Sequence, residues 1–136
     1  MTTDLWTLVG AAILHLAIVF LYSSGRFATP GGFVWAFGNR DAPLEVAPWV
    51  DRAVRAQQNL TESLGPFAVL VLVATAAGRA SETSALGATI FLGARVVHAA
   101  LYIGGIRYLR SFAWAAALAG QGLILAAIVR GPAGHR

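Results

Sequence analysis

Between Arg52 and Phe67 the chain reads RAVRAQQNLTESLGPF, in which Arg55, Asn59 and Glu62 fall at i, i+4 and i+7. On a helix this spacing brings a guanidinium, a carboxamide and a carboxylate onto one face. A second polar set stands in ARVVHAALYIGGIRYLRS, where Arg95, His98 and Tyr102 recur at i, i+3 and i+7 and are followed by Arg107, Arg110 and Ser111. Guanidinium groups bind carboxylates through paired N–H donors. Asn59 and Tyr102 add neutral groups suited to orienting a peptide-like ligand. The chemistry in view is recognition of a small anion that carries carboxylates. The chain has no cysteine, which excludes a disulfide framework, a thiolate metal site and a protein thiol nucleophile. Any sulfur chemistry must arrive with a ligand, and no metal is expected.

The elements that position these residues are apolar. Of 136 residues 57% are hydrophobic and 12% charged, against about 25% charged in ordinary soluble domains. With a mean hydropathy of +0.67 this predicts an integral membrane protein. The net charge of +4 comes from arginine alone. Because the arginines sit at the ends of apolar runs, or inside one for Arg95, nucleic acid is not an expected partner. The fold class predicted is all-α, an up-down bundle with spans at about 5–22, 50–78, 84–103 and 112–129.

Trp6 and Tyr22 bracket the first span at the interfaces, with His15 alone in its middle. That span lacks the basic region and cleavage site of a signal peptide and is expected to be retained. The turn-formers between Ser23 and Pro48 predict a long loop with no continuous helix. Pro66 predicts a kink in the second helix, and Ser81 or Ser84 a cap for the third. Ala113, Ala117 and the Ala116/Gly120 pair predict close helix packing by the fourth. The tail GPAGHR is expected to be disordered. Arg26, Arg40, Arg52, Arg107 and Arg110 lie at the first and third loops, with Arg79, Arg130 and Arg136 opposite, so the positive-inside rule turns the long loop to the cytoplasm. The sequon at Asn59 lies at membrane depth and is set aside.

Helices two and three are antiparallel about the Ala80–Ser81 turn, so equal distance from the turn means equal depth. Asn59 then matches Tyr102, Glu62 matches His98, and Arg95 lies within one turn of Glu62. An isolated charge at mid-bilayer costs about 2.5–3.5 kcal/mol, and placing Glu62 opposite Arg95 removes much of that cost. A purely structural pair that holds the helices together is the alternative reading. Against that reading, one carboxylate faces Arg55, Arg95, Arg107 and Arg110, a surplus of guanidinium suited to an anionic ligand.

These two motifs resemble those of the MAPEG family, the membrane-associated proteins of eicosanoid and glutathione metabolism. The resemblance lies in the arginine-alanine pair, Asn59, Glu62 and Pro66–Phe67, and in Arg95, His98, Tyr102 and the Arg110–Ser111 pair. It implies a homotrimer of four-helix subunits with glutathione bound between neighbours near the cytoplasmic face. The ligand would contact Arg55, Asn59, Glu62, Arg95, His98, Tyr102 and Arg107, with Arg26 as a further basic contact. Arg110 would stabilise the glutathione thiolate beside Ser111, and a lipophilic second substrate would enter from the bilayer. The chain departs from the family pattern at Gln58, where several members carry a basic residue. Its turn between Tyr102 and Arg110 is one residue shorter than in the prostaglandin-synthase branch, so Arg107 and Arg110 compete for the thiolate role.

The implied function is a glutathione-dependent transferase or peroxidase of lipophilic electrophiles or lipid hydroperoxides, in a membrane expected to be the bacterial inner one. The alternative is a non-catalytic member that binds a lipid or a partner protein, which has no need to ionise a thiol. A small multidrug transporter fits less well, since its glutamate is expected on the first helix, where this chain has His15.

Overall fold

In a computed structural model residues 1–131 are described, and they form five helices. These are α1 (Thr3–Ala28), α2 (Gly32–Phe37), α3 (Pro48–Ala76), α4 (Glu82–Ile103) and α5 (Leu109–Arg130). Residues 132–136, which hold most of the tail expected to be disordered together with Arg136, lie outside the described residues. All but α2 are long and apolar enough to cross a bilayer. The chain is an integral, multi-pass membrane protein with an all-helical fold.

The helix starts follow from local chemistry. Thr2 caps α1 by accepting from the Leu5 amide, and Asp4 stands in the first turn, where a carboxylate meets the positive end of the helix. Pro48 occupies the first turn of α3, where its missing N–H costs nothing. At α4, Ser81 and Ser84 form a reciprocal capping box, so both serines take part in the cap. Pro66 lies inside α3, which continues through it to Ala76.

The connection predicted at residues 23–48 is shorter than expected. α1 runs on to Ala28, and α2 occupies six further residues. The residues read as helix breakers serve the helix instead. Ser24 Oγ donates to the Leu21 carbonyl and Thr29 Oγ1 to that of Gly25. Gly25 is where α1 meets α3, since a Cβ there would lie 2.5 Å from Val50 Cγ2 and 2.7 Å from Trp49. Gly25 thus answers a packing demand rather than a turn, whereas Gly31, with φ 77°, makes the turn into α2.

The core follows from the same small residues. The Phe67 and Phe91 rings stack at 3.9 Å between α3 and α4, surrounded by Ala11, Val71, Ala88, Ala117 and Ile124. A second cluster of Ile18, Ala53, Leu60 and Ala99 lies nearer the other end. His15 joins α1 to α3, its Nε2 lying 2.8 Å from Gln57 Nε2 and 3.1 Å from Thr61 Oγ1. Gln57 and Thr61 are themselves bonded, so three polar side chains answer one another at membrane depth.

α4 and α5 make the tightest contact. A Cβ built on Gly120 would come within 2.5 Å of the Gly87 carbonyl oxygen and 2.9 Å of the Phe91 amide, both backbone atoms that cannot swing aside. Ala113 and Ala117 are buried on the same face, whereas Ala116 is exposed. Gly120→Val should therefore force the helices apart. A loss of about 1–3 kcal/mol is expected, measurable as a lower unfolding midpoint in detergent, and an unchanged midpoint would contradict the close approach.

Candidate functional site

The polar stripe of α3 is longer than the three residues that announced it. Arg52, Arg55, Asn59 and Glu62 fall within about 80° of arc at 3.6 residues per turn. Asn59 is half-buried and Glu62 is exposed. On α4, Arg95 and His98 are buried and Tyr102 is half-buried. The stripes meet within one chain, where Arg95 Nη2 donates to Asn59 Oδ1 at 2.9 Å.

The expected opposition of Glu62 and Arg95 does not form inside the chain. Glu62 lies about 60° around the helix from Asn59, which turns it toward α5. There it lines a small cavity with Asn59, Ser63, Trp114 and Gln121. Arg95 keeps two donors, Nε and Nη1, buried without a partner, and His98 Nδ1 is likewise unpartnered. Such groups are uncommon in an interior. They mark a place where the isolated chain leaves hydrogen-bonding capacity unspent.

Two cavities adjoin this contact. The first, about 370 Å³, is lined by Arg52, Arg55, Tyr102, Gly105, Arg107 and Arg110. The second, about 320 Å³, is lined by Asn59, His98, Tyr102, Arg110, Ser111 and Trp114. Each reaches the lower end of the about 300–1,000 Å³ typical of small-molecule sites. Tyr102 and Arg110 belong to both walls, and the Arg110 guanidinium lies 4.3 Å from the centroid of the Tyr102 ring. That contact is a cation–π pair that holds the guanidinium in place.

The electrostatics are one-sided. Four arginines and no acidic residue line the first cavity. α5 starts beside it without a side-chain cap and without an acidic residue in its first turn. A helix N-terminus already carries positive partial charge, and Arg110 adds to it. Of the first cavity's arginines, Arg52 is anchored, its Nε donating to the Ile103 carbonyl at 2.8 Å. This bond ties the start of α3 to the end of α4 and fixes the cavity's floor.

Among the residues singled out in the sequence, Arg55, Asn59, His98, Tyr102, Arg107, Arg110 and Ser111 line one or both cavities. Arg95 lines neither and stands behind Asn59. Because Asn59 Oδ1 accepts from Arg95, the Asn59 amide N–H groups remain for the cavity. Arg26 also lines neither, since its guanidinium lies 4.9 Å from the Tyr22 ring and 5.1 Å from that of Trp35. Besides Gly105, two lining side chains are not among those singled out in the sequence. Arg52 reads in the sequence as loop charge, although it stands three residues before Arg55 on the same face. Trp114 follows Ser111 by one helical turn, and its spacing was the available signal.

With this geometry in view, the comparisons with known proteins decide the family. The sequence matches the family model described as MAPEG family over residues 5–130. The chain belongs to the MAPEG family. No curated protein and no solved structure matches it. The MAPEG match takes in all four long helices and both polar stripes, so the cavities described here lie wholly within the family's domain.

The bond between Arg95 and Asn59 carries a direct expectation. Asn59→Leu leaves a buried guanidinium without its acceptor and should cost about 1–3 kcal/mol of stability. Asn59→Asp, which keeps an acceptor oxygen, should retain most of it. Denaturant titration in detergent compares the two, and equal losses would show that the bond is not what matters at this position.

Proposed function

We propose that this MAPEG member is a glutathione-dependent membrane transferase or peroxidase that acts on lipophilic electrophiles or lipid hydroperoxides, working as a homotrimer. One observation supports the reading above the others: Arg110 and Tyr102 are common to a cavity of four arginines and to a second whose remaining walls include the hydrogen-bonding side chains of Asn59, His98 and Ser111. A ligand spanning both would set its carboxylates among the arginines and its remaining groups beside Asn59, His98 and Ser111. Glutathione has that distribution of charge. The exposure of Arg55 and Glu62 suits a site completed by a neighbouring subunit. The arginine cluster fits the cytoplasmic side of a bacterial inner membrane.

Arg110 is the better candidate for the thiolate partner. It reaches both cavities and adjoins Ser111, whereas Arg107 lines the cationic cavity alone and is exposed. A guanidinium at hydrogen-bond distance favours the ionised thiol and supplies the nucleophile that the chain lacks. In transfer, the thiolate sulfur bonds to the electrophilic carbon and the leaving group departs with the electron pair. With a hydroperoxide, the sulfur attacks the distal oxygen, the O–O bond breaks, and the departing alkoxide takes a proton from water to leave as the alcohol. A second glutathione then displaces hydroxide from the sulfenic acid, giving the disulfide and water. Arg95 is a positioning residue that orients Asn59.

Calorimetry and thiolate absorbance on the detergent-purified protein test this together. The wild type should bind glutathione and develop the thiolate band. Arg107→Ala should weaken binding about 10–100-fold, the worth of one charge-assisted contact, and keep the band at saturation. Arg110→Ala should lose the band while some binding persists, and Arg95→Ala and Glu62→Ala should each weaken binding at least as much as Arg107→Ala. Binding without a band in the wild type would favour the non-catalytic reading. No binding at all by the folded protein would remove glutathione from the proposal.

A further inference from the structure

The short helix α2 is unlike the rest of the α1–α3 connection. Its side chains Phe33, Val34 and Phe37 are 61%, 81% and 81% exposed. They are not scattered. The Phe27, Phe33 and Phe37 rings form a triangle with centroids 4.7, 6.0 and 6.4 Å apart. Opposing charges leave this segment nearly neutral, with Arg26 and Arg40 balanced by Asp41 and Glu45. An exposed aromatic cluster of this kind calls for a covering.

The course of α1 says what covers it. Trp6, Ile13, Leu16, Phe20 and Phe27 are exposed and fall within about 80° of arc. The buried residues Thr7, Ala11, Ile18 and Gly25 lie on the opposite side. The exposed stripe therefore faces outward along the whole span and ends at Phe27, where the α2 rings continue it. Depth agrees with direction. Trp6 and Arg26 are twenty residues apart, which at ~1.5 Å per residue is about 30 Å, one hydrocarbon thickness. With Trp6 at one interface, Arg26 and Phe27 reach the other, and α2 follows at that level.

The polar groups are arranged to match. Trp35, half-buried, has the Arg26 and Arg40 guanidinium carbons at 5.1 and 5.0 Å from its ring. Its indole N–H donates to the Ala42 carbonyl at 2.7 Å. Arg40 folds back onto the end of α2, donating through Nε and Nη2 to the Ala36 carbonyl, which favours the negative end of that helix. Apolar rings are thus gathered on one side and an arginine–tryptophan–arginine group borders them. Amphipathic rings and arginines of this kind suit the boundary between acyl chains and headgroups.

We propose that α2 is an interfacial anchor. Phe33, Val34 and Phe37 enter the acyl boundary of the leaflet where α1 ends, and Arg26 and Arg40 meet its phosphates. The connection then lies on the bilayer and holds the entry of α3, with Arg52 and Arg55, at a fixed height.

The absence of cysteine makes the test direct. Single nitroxide labels at Val34→Cys and Phe37→Cys are compared with Asn39→Cys and with the span position Phe20→Cys. The full chain is reconstituted in vesicles of phosphatidylcholine and phosphatidylglycerol, and collision with oxygen and with a nickel chelate is measured. Labels at 34 and 37 should favour oxygen several-fold more than the label at 39, though less than the label at 20. Phe33→Ser with Phe37→Ser should move the label at 34 toward the behaviour of 39 while leaving that at 20 unchanged. Chelate access at 34 and 37 equal to that at 39 would overturn the proposal, since the segment would lie in water. Exclusion of both reagents would overturn it in favour of burial against protein. A label at 34 that ignores the double substitution would also overturn the role of the rings.

Discussion

A guanidinium in a hydrocarbon layer is the constraint around which the rest of this structure is arranged. Arg95 is 1% exposed, near the middle of a largely apolar helix, and among the described residues its side chain makes one hydrogen bond, to Asn59 on the neighbouring helix. An acceptor at that depth is required, because water is not at hand to replace it. The bond sets the register of α3 against α4 and turns the Asn59 carboxamide. The face shared by Asn59, His98 and Tyr102 becomes the wall of a cavity as a result. Structural necessity and the candidate site are here the same contact.

Charge at the membrane edge follows the opposite logic. Arg52, Arg55, Arg107 and Arg110 surround one small space without a carboxylate among them. Like charges so arranged repel, and a chain selected only for stability would intersperse acids. The anchoring of Arg52 on the Ile103 carbonyl and of Arg110 on the Tyr102 ring offsets part of that repulsion with neutral partners. Neither partner cancels the charge. The positive field therefore remains available to a ligand, and it is strengthened by the uncapped start of α5.

The sequence made the four spans plain because hydrophobic length is a property of local composition, and the stripes plain because helical spacing is too. What depended on rotation between helices was less legible. Depth alone put Glu62 near Arg95, but only packing could decide that Asn59 faces α4 while Glu62 turns toward α5. Arg52 is visible by spacing but reads as ordinary flanking charge, and Trp114 gains meaning only from its place one turn after Ser111. The extension of α1 and the presence of α2 were hidden by Ser24, Gly25 and Gly32. Those residue types usually end helices; here Ser24 bonds back to the Leu21 carbonyl, and the two glycines allow close approach to Trp49, Val50 and the end of α1.

The order of Asn59 and Arg95 along the chain has a consequence for biogenesis. Synthesis proceeds from the amino terminus, so α3 is made before α4, and the carboxamide is present before the charge that needs it. A neutral asparagine is the cheaper of the two groups to hold in lipid while waiting. α5 follows after a connection of five residues and closes against α4 at Gly87 and Gly120. The nascent chain thus introduces the charged Arg95 side chain only once an acceptor stands ready.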